Sequence, residues 1–87
     1  MLLKIIMTNK TLTIKFANGA TNGATTSMFI KGNTIYSYGY HFIIAQIINN
    51  KKAIFNIRKY SQTTGRHQSL VLRTLETFGF QVEKKEL

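Results

Sequence analysis

The residue types that can do chemistry are concentrated between Arg58 and Leu75. Arg58, Lys59 and Tyr60 run into the hydroxyls Ser61, Thr63 and Thr64, and Gly65, Arg66, His67, Gln68 and Ser69 then lead into an apolar helical run. Thr63 and Thr64 both fit as N-caps, because a side-chain oxygen there satisfies amides of the first helical turn. Three residues after Thr64 stands His67, and three after Ser61 stands Thr64, so no Glu or Gln completes a capping box. A helix start with open amides, hydroxyls and Arg66 is a competent anion site, with Lys59 as a second charge and phosphate or sugar as the ligand chemistry. The same residues also make an ordinary capped helix with a solvated arginine.

Two further groupings carry chemistry. Tyr36 and Tyr38 share one side of a strand, Asn56, Arg58 and Tyr60 share a side of another, and Tyr40 and His41 sit at the bend between them. If those two sides coincide, the sheet presents an aromatic surface bordered by cations, the arrangement on which bases stack while Lys and Arg follow phosphates. The competing reading is of half-buried strand tyrosines with their hydroxyls at the surface. The second grouping is the pair His41 and His67, which with nearby hydroxyls supplies the ingredients of metal-independent cleavage of RNA. Ser61 and Ser69 lie near His67, but the chain has no Asp to orient an imidazole and its three Glu all come late, so a nonenzymatic protein is the expectation.

Composition narrows the classes. Twelve Lys and Arg against three Glu give a formal net charge of +9, and Glu76, Glu83 and Glu86 are the only acids. Everything before Glu76 is therefore cationic and unopposed. Polyanions are the default partners of such a field. Without Cys there is no disulfide framework or thiolate metal site, and without Asp no calcium or magnesium cage, so neither metal nor cofactor is expected. No segment reads as a signal peptide or membrane span, which makes a cytoplasmic protein with no membrane partner the simpler expectation.

The elements that must position these residues follow from periodicity. Thr11 to Ala17 alternates, with Leu12, Ile14 and Phe16 opposite Thr11, Thr13 and Lys15, and predicts a half-buried strand closed by Asn18-Gly19 and Asn22-Gly23 turns. Thr25 to Lys31 predicts a second strand, joined by a Gly32-Asn33 hairpin to a third that holds Ile35 to Tyr38. Phe42 to Ile48 and Ala53 to Ile57 form a further hairpin about Asn49-Asn50. The helix after the threonine pair carries Leu72, Leu75 and Phe78, with Val71 and His67 beside them, and Gly79 ends it. Phe80 and Val82 fold back on the core, and Lys84 to Leu87 fray. The expected architecture is one α+β domain over residues 1–87, ordered from about 8 to 82, in which an antiparallel sheet of about five strands is followed by one C-terminal helix packed on one face.

Two phrases, Tyr36-Ser37-Tyr38-Gly39-Tyr40-His41-Phe42 and Tyr60-Ser61-Gln62-Thr63-Thr64-Gly65-Arg66-His67-Gln68-Ser69, together resemble a family of short proteins of unknown function carried by phages, plasmids and some prokaryotic genomes. The resemblance implies a mobile-element protein, with a role at DNA or RNA or as an inhibitor of a host defence protein. It also implies that Tyr38, His41, Tyr60, Ser61, Thr63, Thr64, His67 and Gln68 act together, as a site or as a polar network that includes His41, Ser61 and Ser69. The leading expectation is a nucleic-acid-binding module, with Tyr36, Tyr38 and Tyr60 stacking bases and Arg58, Lys59 and Arg66 holding phosphates. Thr63, Thr64, His67 and Gln68 complete its contact surface. The alternatives are a protein–protein inhibitor of a host factor and a nuclease using His41 and His67. The leading reading requires the cations to gather on a single tyrosine-bearing surface.

Overall fold

The computed structural model describes residues 7–37 and 42–87. Its elements are helix α1 (Asn9–Ala17), strands β1 (Asn22–Ala24), β2 (Met28–Lys31), β3 (Thr34–Ser37), β4 (Phe42–Asn49) and β5 (Lys52–Asn56), helix α2 (Gln62–Thr77) and strand β6 (Gln81–Lys85). The class is α+β, with the six strands in the order β1-β2-β3-β4-β5-β6. Antiparallel pairing runs from β1 to β5, and β6 then lies parallel to β5.

The first element departs from the alternation in its sequence. Residues 9–17 are helical, and Leu12, Thr13, Phe16 and Ala17 are its buried positions, a spacing of one and four that only a helix produces. Both ends are closed locally. The Thr8 side chain accepts from the Thr11 amide, and beyond Asn18 the amides of Gly19 and Ala20 reach back to the carbonyls of Phe16 and Lys15 at 3.0 Å each. That pair of bonds is a Schellman motif, with Gly19 at φ +91°. Asn18-Gly19 therefore ends a helix instead of turning a hairpin. Thr13, on the polar side of a strand reading, is buried and its hydroxyl meets that of Thr74 at 2.9 Å. Tertiary packing of Leu12 and Phe16 overrides the weak helix preference of this Thr- and Ile-bearing segment.

The sheet follows the expected hairpins more closely. Lys31 pairs with Thr34 across Gly32-Asn33, and Asn49 with Lys52 across Asn50-Lys51. The end of the chain is the second correction: α2 is a crossover and Gln81–Lys85 is a sixth strand, so Lys84 and Lys85, expected to fray, are paired with Phe55 and Asn56. A parallel neighbour needs a connection of a dozen residues or more, which α2 supplies. Gly79 (φ +82°) closes α2 with the same two-bond motif as α1, from Gly79 to Glu76 and from Phe80 to Leu75. The tail is held further by Gln81 N–H to the Lys51 carbonyl at 2.7 Å and Leu87 N–H to Asn56 Oδ1 at 3.1 Å.

Both helices lie on one face of the sheet. Leu12, Phe16, Val71 and Leu75 join Met28, Ile30, Ile35, Phe42, Ile44, Ala45, Ala53 and Phe55 in one core, with Phe80 and Val82 packed at its margin. Phe78, expected in the helix's apolar stripe, is 42% exposed. A register shift in β4 matters for the other face. Ile35 pairs with Ala45 but Tyr36 pairs with Ile43, so Ile44 is extra and both Ile44 and Ala45 enter the core. That bulge keeps Ile43 on the side away from the helices.

Candidate nucleic-acid interface

The sheet face away from the helices carries two rows of side chains by register. One runs Ala24, Phe29, Tyr36, Ile43, the last next to Asn56, whose Nδ2 donates to the Ile43 carbonyl at 2.7 Å and which pairs with Lys85. The next runs Asn22, Lys31, Thr34, Gln46, Ile54 and Glu83. Phe29 and Tyr36 are stacked, their ring centroids 4.7 Å apart and their planes within 13°. Phe29, Tyr36, Ile43 and Ile54 are each half-buried, although no described helix covers them. Glu83 pairs with Lys85 at 3.2 Å and more loosely with Lys52 at 4.0 Å. Such exposed pairs contribute about 0–1 kcal/mol, so either lysine exchanges partners at little cost.

The segment expected to be the site divides instead. β5 ends at Asn56, and period-two alternation stops there, so Arg58 and Tyr60 do not continue the face that Asn56 shares with Tyr36. Tyr60 is 65% exposed and tilts against the core residue Phe42, with centroids 5.6 Å apart. Tyr36 and Tyr60 therefore do not form one platform. Arg58, Lys59, Tyr60, Thr63 and Arg66 are exposed around the β5–α2 loop and the first turns of α2. Gln68 fixes that loop: its Nε2 donates to the carbonyls of Asn56 (2.7 Å) and Arg58 (2.9 Å). Gln68 is thus a structural clamp on that loop.

Thr64 and His67 also leave the proposed contact surface, because they are 0% and 5% exposed. The N-cap of α2 is Ser61, not Thr63 or Thr64, and its Oγ accepts the Thr64 amide at 3.1 Å. A buried polar chain starts from it. Ser61 Oγ donates to Thr64 Oγ1 (3.0 Å), which meets Ser37 Oγ (3.4 Å), which meets His67 Nδ1 (2.8 Å). On the other side of the ring, Nε2 meets Ser27 Oγ at 3.4 Å, and Ser27 bonds with Asn9 at the start of α1. Burial pushes the His67 pKa below its usual value, so the ring is neutral at pH 7. The chain ties β3, both helices and the loop before β2 together, and no buried side-chain polar atom among the described residues lacks a partner.

A Ser–His contact of 2.8 Å is the distance of a nucleophile and its base. Ser37 is fully enclosed, however, and neither carbonyl chemistry nor a phosphate can reach it in this arrangement. Ser69, expected in the network, is instead exposed on the outer side of α2; Tyr38 and His41 lie outside the described residues. Among the described residues no three His, Cys, Asp or Glu gather to hold a metal ion, and no helix is long and apolar enough to cross a membrane.

Sequence reasoning missed Phe29, Lys31 and Lys85 on the open face, and Ser27, Ser37 and Asn9 in the network. Phe29 was accessible: a two-residue turn at Gly32-Asn33 fixes Phe29 opposite Tyr36. Ser27 and Asn9 carried no signal, since their bonds depend on where α1 docks.

The cations, expected on one surface, occupy both layers. Lys31, Lys52 and Lys85 belong to the open sheet face by register, whereas Lys10, Arg66 and Arg73 are exposed on the helices. The reason is topological. The sheet's two edges and the helix layer each need a solvated face, and the sequence has little besides Lys, Arg and Asn or Thr to supply it.

A family model described as a family of unknown function (DUF8033) matches residues 1–87, and the chain belongs to that family. No curated protein and no solved structure matches it.

Proposed function

We propose that this member of a family of unknown function is a small basic nucleic-acid-binding protein whose base-stacking surface is the open face of the sheet. The observation that carries the reading is the Phe29–Tyr36 stack on a sheet face that no described helix covers and that Lys31, Lys52 and Lys85 share by register. Stacked rings on a sheet face offer flat surfaces on which bases can stack. A second copy of this chain fits poorly, because each copy brings three lysines against Glu83 to the contact and a net charge of +9. A polyanion with stackable bases satisfies both features. Arg58 and Lys59 add phosphate contacts at the β5–α2 loop, and Tyr60 adds one exposed ring. The enclosure of Ser37 and His67 supports binding without catalysis. A mobile-element origin and a place in the cytoplasm belong to the same proposal.

Binding to a random single-stranded oligonucleotide, measured between 50 and 200 mM salt, tests the reading. Three phosphate contacts on a single strand predict about a twentyfold weakening over that range. Absence of binding, or affinity indifferent to salt, refutes it. Capture of a protein from lysate that persists after nuclease treatment would favour the inhibitor reading instead.

A further inference from the structure

The helix layer carries a second cationic surface that the sheet-face reading leaves unused. Gln62, Arg66, Ser69 and Arg73 recur at intervals of four, three and four, so they form one stripe along α2. That stripe lies opposite the buried positions Thr64, His67, Val71 and Leu75 and is therefore the outward crest of the helix. These four residues line one shallow hollow, and Arg73 and Leu70 continue into a second that reaches Lys10 of α1. From Gln62 to Arg73 the crest is about 16 Å long, a length over which one strand of a duplex carries about five phosphates. Its side chains are cations, an amide and a hydroxyl, all of which donate to phosphate oxygens. The first acid of the chain, Glu76, comes only after Arg73.

Resting on the nucleic-acid reading above, we propose that the protein bridges two nucleic-acid segments, one held by the open sheet face and the other by its phosphates along the α2 crest. The two surfaces belong to opposite layers of a slab whose shortest dimension is 20 Å. The Debye length at physiological salt is about 8 Å, so a polyanion on one face does not cancel the field that attracts a second to the other. The two faces also differ in kind. The sheet offers rings for bases, whereas the crest offers charge and hydrogen-bond donors and reads backbone alone.

The test immobilises one short single-stranded oligonucleotide and asks whether the protein captures a second, fluorescent one from solution. Capture is expected to rise and then fall with protein concentration, as excess protein loads each strand separately. Arg66→Glu/Arg73→Glu is expected to keep binding to the immobilised strand and to lose at least tenfold in capture. The charge-matched Lys51→Glu/Lys84→Glu, at positions that belong neither to the open-face rows nor to the α2 crest, is expected to retain capture. Wild-type protein that binds the immobilised strand but captures no second one overturns bridging and leaves nucleic-acid binding standing. Undiminished capture by the Arg66/Arg73 variant also overturns it, and points to bridging by paired sheet faces. Failure to bind even the first strand removes both proposals together.

Discussion

Ser37 Oγ stands 2.8 Å from His67 Nδ1, and this contact joins the end of β3 to the second turn of α2. Ser61 donates to Thr64, and Ser37 Oγ sits between Thr64 Oγ1 at 3.4 Å and Nδ1 at 2.8 Å. Nε2 meets Ser27 Oγ at 3.4 Å, so each ring nitrogen faces a serine hydroxyl able to donate or accept. A neutral imidazole accepts on one edge and donates on the other.

The first prediction concerns pH. The folded-state pKa of His67 lies below its unfolded value because burial disfavours the charged ring. Between the two values the unfolded chain binds more protons, so stability is complete above about pH 6.5 and falls as pH drops toward the folded pKa. The steepest slope one such group gives is about 1.4 kcal/mol per pH unit. Urea unfolding from pH 8 to pH 5 should show this fall in wild type and a flatter profile in His67→Gln. An equal slope in both would assign the effect elsewhere, with His41 the first group to examine.

Ser37→Ala removes the buried 2.8 Å contact to His67 Nδ1, which costs about 1–3 kcal/mol. In a domain of this size each kcal/mol lowers Tm by about 4–8 °C. Thermal unfolding unchanged within 2 °C (about half the smallest expected shift) would show the contact to be dispensable.

Capping separates two neighbouring hydroxyl residues. Ser61→Ala removes both the cap on the Thr64 amide and the head of the polar chain, and should cost about 1–2 kcal/mol. Thr63→Ala, at an exposed position inside the first turn, should change stability by less than about 0.5 kcal/mol. The reverse order, read by urea midpoints, would restore Thr63 as the cap.

Gly19 sits at φ +91° with open space around it, so any cost of Gly19→Ala is backbone strain and not a clash. A loss of about 1 kcal/mol is expected from forcing a side chain into the left-handed region. A stabilised variant would contradict the helix terminus described for α1.

On the open face, Tyr36→Ala should weaken single-stranded oligonucleotide binding by about 1–3 kcal/mol while leaving the salt slope unchanged, because a ring stacks and carries no charge. Lys31→Ala should instead reduce the slope by about 0.7. Interchanged effects, with Tyr36→Ala altering the slope, would mean that the ring acts through the fold.

What the sequence alone determined was local. The Gly32-Asn33 hairpin, a hairpin between β4 and β5, a helix starting near the threonine pair and its end at Gly79 rest on turn chemistry and period, which few residues encode. The cap at Ser61 and the turn at Asn50-Lys51 nevertheless lie one to three residues from the expected positions. The cationic excess and the lack of metal ligands were likewise matters of composition. Other features required the tertiary structure. Thr11 to Ala17 alternates and also fits a helix stripe, and docking of Leu12 and Phe16 against α2 and β2 decides between them. Whether Lys84 and Lys85 fray or pair depends on the open edge of β5, which is distant in sequence until α2 crosses back. The same holds for the site. Period two places residues on sides of one strand, but the extra residue at Ile44 and the end of β5 at Asn56 decide which sides coincide. Tyr36 was thereby separated from Tyr60, and His67 was enclosed by serines from two other elements, because burial is a property of the packed layers and not of any single segment.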